Sequence, residues 1–175
     1  MRRACRFTER VLLAIAVAVL LVGCDGGLLP TKGDPAGHVE KVPQPIDMLL
    51  PKTLEIHPFT QTVAFPGAAG GVHARVQARD SFGDATKAFG TIRFDLYGFL
   101  KQNQRKQGPR VGQWEISIAQ PKANLTHWNR HFRSYEFKLA CDKPLPTSRR
   151  FILVATFTSP FTPRLSAQRE IVAGE

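Results

Sequence analysis

Acidic residues are scarce in this chain: 14 Asp and Glu stand against 24 Lys and Arg, a formal net charge of +10 at pH 7. The few acids include no pair placed as glycoside hydrolysis requires, with two carboxylates flanking one bond. Cysteine is scarcer still and occurs only at positions 5, 24 and 141. No apolar run reaches the ~20 residues that span a bilayer as a helix. The longest, Val11 to Val22, has 12. There is no G-x-S-x-G elbow, no P-loop and no H-E-x-x-H motif. With the common catalytic motifs missing, the expectation is a non-catalytic protein without a cofactor.

What is present begins at the N-terminus. Arg2, Arg3, Arg6 and Arg10 against the single acid Glu9 form a positive n-region. The 12-residue apolar run has the length of a signal-peptide h-region. Leu21-Val22-Gly23-Cys24 follows, and these four residues resemble a lipobox, the cleavage and acylation site of bacterial lipoproteins. A small Gly23 lets a peptidase approach the backbone, and a thiolate is a good nucleophile for alkylation by a diacylglyceryl group. The resemblance, which covers about the first 25 residues, implies cleavage before Cys24 and lipid attachment there. Each buried CH₂ of the acyl chains contributes roughly 0.8 kcal/mol to anchoring. The protein is then exported and held on a bacterial cell membrane, at its periplasmic or extracellular face, with the choice of membrane open. Cys5 leaves with the leader and Cys24 becomes a thioether, so Cys141 is left without a partner for an intrachain disulfide. The mature chain keeps a charge of +7, from 20 Lys and Arg against 13 Asp and Glu. A basic exported protein meets few nucleic acids. Its anionic neighbours are phospholipid head groups, cell-wall polymers, lipopolysaccharide and acidic proteins.

Three segments are expected: a signal peptide over 1–23, a lipidated N-terminus with a flexible tether over 24–52, and a folded domain over 53–175. In the tether Gly and Pro recur every few residues and no helical or strand period survives. Met48, Leu49 and Leu50 are apolar enough to pack on the domain edge. From Thr53 the pattern turns to period two. Leu54 and Ile56; Val72, Ala74, Val76 and Ala78; Ile92, Phe94 and Leu96; Trp114, Ile116 and Ile118; and Tyr135, Phe137, Leu139 and Cys141 alternate mostly with polar residues. This is the half-buried strand pattern. The run Phe151 to Phe157 is apolar in both phases, with Phe151, Leu153, Ala155 and Phe157 assigned inward. A weaker strand covers Ser166 to Ile171. Helical periodicity is missing throughout, and Gly and Pro punctuate the intervals. Seven strands over some 120 residues predict an all-β, antiparallel, two-sheet sandwich. Trp114 and Phe137 are expected to be buried in it.

The stretch Asp80-Ser81-Phe82-Gly83-Asp84 and then Gly90-Thr91-Ile92-Arg93 resembles a strand connection in bacterial immunoglobulin-like and transthyretin-like domains. The resemblance covers Val72 to Tyr97 and implies an adhesive, scaffolding or ligand-binding module.

Two sets of residues are candidates for a site. Lys101, Arg105, Lys106 and Arg110 occupy the third-to-fourth strand connection, which has no acid. Lys143, Arg149 and Arg150 occupy the fifth-to-sixth connection beside Asp142. In a sandwich these loops share one end, giving seven cations against one anion. That composition suits an anionic envelope polymer or lipid, and equally an ordinary solvated hairpin end. At the other end Asp80, Asp84, His127 and His131 bring the residue types of a mixed metal or enzymatic site. The simpler reading makes the aspartates turn caps and the histidines loop residues. Cys141 shares the inward phase and reads as core.

Overall fold

The structure, a computed structural model, describes residues 41, 43, 44 and 46–174. The expected leader and lipobox, and residues 24–40, 42 and 45 of the expected tether, lie outside the described residues.

The chain forms a sandwich of two antiparallel sheets. Its elements are α1 (Ile46–Leu49), β1 (Thr53–Ile56), β2 (Gln61–Val63), β3 (Gly71–Arg79), β4 (Ala85–Thr86), β5 (Thr91–Phe99), β6 (Gln107–Ser117), α2 (Pro121–His127), β7 (Trp128–Asn129), β8 (Ser134–Ala140), β9 (Arg150–Thr158) and β10 (Leu165–Val172). The larger sheet runs β1-β3-β8-β7, with β2 and β4 also paired to β3, and the smaller runs β10-β9-β5-β6. All seven expected strands are present, as β1, β3, β5, β6, β8, β9 and β10. Sequence periodicity misses β2, β4 and β7, which at two or three residues are too short to show a period.

The inward phase is as the alternation indicates. Val72, Ala74 and Val76, with Phe137 and Leu139 beside them in the larger sheet, pack in one core with Phe94, Leu96, Leu153 and Phe157 of the smaller, all fully buried. Trp114 is a correction: it is only half-buried, because β6 is an edge strand. Its Nε1 donates to the Ala140 carbonyl at 2.8 Å and ties the two sheets at that edge.

The expectation of no helix also needs correction. Residues 121–127 form α2, so His127 ends a helix rather than lying in a loop. The helix begins at Pro121, where a missing N–H costs nothing. It is fixed by Asn124, whose Nδ2 donates to the carbonyls of Ala88 (2.7 Å) and Ile118 (2.9 Å). The Tyr135 hydroxyl accepts from Ala88 N at 2.8 Å and lies 3.0 Å from Asn124 Oδ1.

β1 and β2 are one edge strand interrupted at residues 57–60. Pro58 has no N–H for the ladder, and the Thr60 hydroxyl accepts from Arg75 N at 3.0 Å in place of a backbone carbonyl. Before β1, Pro51 is buried, Met48 O accepts from Ser81 N, and Leu49 O accepts from the Thr86 hydroxyl. The chain therefore enters the sandwich at the end that carries the 80–84 turn. Among the described residues no helix is long and apolar enough to cross a membrane.

Candidate functional site

Antiparallel pairing sets which loops meet. Gly98 of β5 pairs with Phe151 of β9, and Gly71 of β3 pairs with Ala140 of β8. The 64–70 turn, the 100–106 tip and the 141–149 connection are thereby gathered at one end. The Arg150 guanidinium lies 3.8 Å from the Phe99 ring centroid, a direct contact between the two basic segments. This is the end opposite to the entry of the chain at Thr53.

The 100–106 tip is ordered by its own backbone. Leu100 N bonds Lys106 O, Lys106 N bonds Asn103 O, and Asn103 Oδ1 accepts from Arg105 N. The tip curls over the outer face of the smaller sheet. Gln107 Nε2 reaches Gln168 Oε1 on β10 at 3.3 Å, although β5 and β9 lie between those strands. Ile152, which stands in the outward phase of β9, is buried there.

The curl changes the charge count. Seven cations do not face one anion, because two acids arrive from other strands. Glu170 of β10 meets Arg150 at 3.1 Å and Lys106 at 3.9 Å. Asp95 of β5, its side chain only 4% exposed, meets Arg110 at 3.4 Å and Arg93 at 2.8 Å. Its hydrogen bond, and then its charge, hold the Arg93 guanidinium above its ordinary pKa. Lys101, Arg105, Lys143 and Arg149 make no ion pair among the described residues. The end remains basic, with seven cations against Asp95, Asp142 and Glu170. Arg110 and Lys143 also line a cleft of about 490 Å³ at the open edge between the sheets, with Trp114, Cys141 and Asp142 in its wall. Cys141 is buried there, and burial first, then the charge of Asp142, pushes its thiol pKa up.

The four Asp and His candidates do not form one group, and Asp84 joins its turn through its backbone. Asp80 Oδ1 accepts from the backbone N–H of Phe82 (2.9 Å) and of Asp84 (3.0 Å), capping the turn through Gly83 at φ 83°. His127 Nδ1 lies 3.0 Å from the Glu136 carbonyl, and its ring stacks on Phe137. His131 follows a turn held by Asn129 Oδ1, which accepts from the His131 N–H at 2.9 Å. Among the described residues no three of His, Cys, Asp and Glu are grouped so as to hold a metal ion.

A feature that periodicity does not show lies on the outer face of the larger sheet. Glu136 binds Arg75 (2.9 Å) and His73 (3.6 Å), and Arg75 stacks on Phe132 at 4.3 Å, with Phe59 and His57 alongside. The charged residues and His73 stand on β3 and β8, and the rings of His57, Phe59 and Phe132 come from the 57–60 interruption and the turn after β7. Pro58 between the flanking aromatics is the one sequence signal of that interruption.

No protein-family model, curated protein or solved structure matches this chain.

Proposed function

We propose that this chain is a membrane-anchored envelope lipoprotein, lipidated on Cys24. Its sandwich serves as a non-catalytic interaction module whose basic end binds an anionic envelope polymer. The observation that carries this reading is the position of Lys101, Arg105, Lys143 and Arg149. They come from two loops, share one end and have no ion-pair partner among the described residues. That end lies away from the tether, so a domain standing on its tether presents it outward to the cell wall or another envelope layer. Strands of eight or nine residues separate the two ends by ~30 Å at ~3.3 Å per residue. The immunoglobulin-like resemblance gains support from strand neighbours. The first, second and fifth long strands adjoin, and so do the third, sixth and seventh, as in immunoglobulin sandwiches. The fourth pairs with the third, which departs from the constant-type order.

The test is retention of the soluble domain on isolated cell wall. Wild type is retained at low salt and released as salt rises, because exposed charges are screened over ~10 Å at 0.1 M. Changing Lys101, Arg105, Lys143 and Arg149 together to Gln weakens retention, while changing the paired Lys106 and Arg150 has a smaller effect. A wild type that does not bind wall at low salt, or a quadruple variant that binds equally well, removes the reading.

A further inference from the structure

The end where the chain enters carries a second surface, of opposite character. Five of the large apolar side chains that stand exposed belong to it. Ile46 and Leu49 lie on α1, Phe82 and Phe89 in the β3–β5 connection, and Leu125 on α2. Phe82 sits at the turn tip and is 65% exposed. Phe89 packs on Phe161 of the β9–β10 connection, with ring centroids 5.5 Å apart. Helix α1, the β3–β5 connection, α2 and the β9–β10 connection therefore all contribute. Between them opens an apolar cleft of about 670 Å³, walled by Leu50, Ala88, Phe89, Pro121 and Leu125.

Single exposed apolar residues need no explanation, but a set gathered on one end marks a contact surface. We propose that this end docks on the bilayer that holds the anchor, with its apolar side chains in the head-group region. The proposal rests on the lipoprotein reading and gives the anchored module an orientation. The occupant follows from where the chain leads. Ile46 belongs to the patch, and Cys24 lies 22 residues before it. The chain from the proposed anchor joins the domain at this end, so of the two ends this is the one attached nearest to the membrane surface. Lys87 lines the cleft and Lys122 follows Pro121 of its wall, neither in an ion pair among the described residues, while Asp84 lies in the same exposed turn as Phe82. The local charge is mixed, so apolar burial drives this contact. It should survive salt that releases the basic end from its polymer.

The full mature protein, reconstituted in phosphatidylethanolamine and phosphatidylglycerol vesicles, tests this. Phe82→Trp and Leu100→Trp place a reporter at either end, above the shared emission of Trp114 and Trp128. The expected result is that acyl-chain-brominated lipid quenches the emission added by Phe82→Trp, at low and high salt alike. The emission added by Leu100→Trp stays unquenched. Equal quenching of both, or of Leu100→Trp alone, overturns the proposal. So does a Phe82→Trp reporter shielded from acrylamide but untouched by brominated lipid, which would assign the patch to a second copy or another protein. Mass spectrometry of the same sample reads the lipid on Cys24. Its absence defeats the anchor reading, and the docking argument with it; its presence without quenching defeats docking alone.

Discussion

Tyr135 has no solvent exposure, and its hydroxyl holds the Ala88 N–H and the Asn124 side chain together. Replacing it with Phe leaves the buried Ala88 N–H without a partner. The expected cost is ~1–3 kcal/mol, read by denaturant unfolding. Burial raises the Tyr135 pKa, against lesser opposing effects of its hydrogen bonds to Ala88 and Asn124. The native state then keeps a proton that the unfolded chain releases at about pH 10. This contribution to stability is fully present below that value and is lost as pH rises through the higher native pKa. Tyr135→Phe should flatten that alkaline limb of the stability curve. Phe137 stacks between His127 and Tyr135 in the centre of the core, and Phe137→Ala should cost ~3–5 kcal/mol. Cys141, buried and with its pKa raised, should react slowly with iodoacetamide at neutral pH and quickly once denatured. At this scale the inward phase of Phe137 and Cys141 is legible from alternation alone. The hydroxyl contact of Tyr135 is not, since its partners lie 47 and 11 residues away.

Among the elements, long strands announce themselves and short ones do not. Period two over Val72–Ala78 or Tyr135–Cys141 repeats often enough to be read. The pair Ala85–Thr86 has no period, and it is a strand only because β3 offers an open edge beyond the end of β8. Helix α2 has no buried residue and a length of seven residues, too short for an amphipathic stripe. Its anchoring through Asn124 to two carbonyls is a tertiary fact. Gly90, by contrast, was visible as a turn residue, and the fold makes it obligatory. Its φ is 156°, and an added Cβ would collide with the Thr158 carbonyl and the Phe157 ring. Gly90→Ala should therefore lower stability by more than about 1 kcal/mol, measured by thermal or denaturant unfolding.

For the whole molecule, the proposal turns on Cys24. Cys24→Ala should abolish fatty-acid labelling and leave an unprocessed precursor or a soluble product. Normal labelling and processing of that variant would contradict the lipoprotein reading. The sequence by itself determined that the chain is a two-sheet antiparallel sandwich, because side chains on a pleated strand alternate faces and the apolar set must be buried. It also placed the two basic loops at one end, since successive antiparallel strands reverse direction. Only the tertiary structure decided which cations are neutralised there. Glu170 meets Lys106 from a strand distant in sequence, across a curled hairpin that no local pattern encodes, while Asp95 and Glu170 meet Arg110 and Arg150 from the adjoining strands. The same holds for the apolar end. Phe82, Phe89 and Leu125 look like isolated loop residues along the chain, and become one surface because long-range strand pairing brings their loops together.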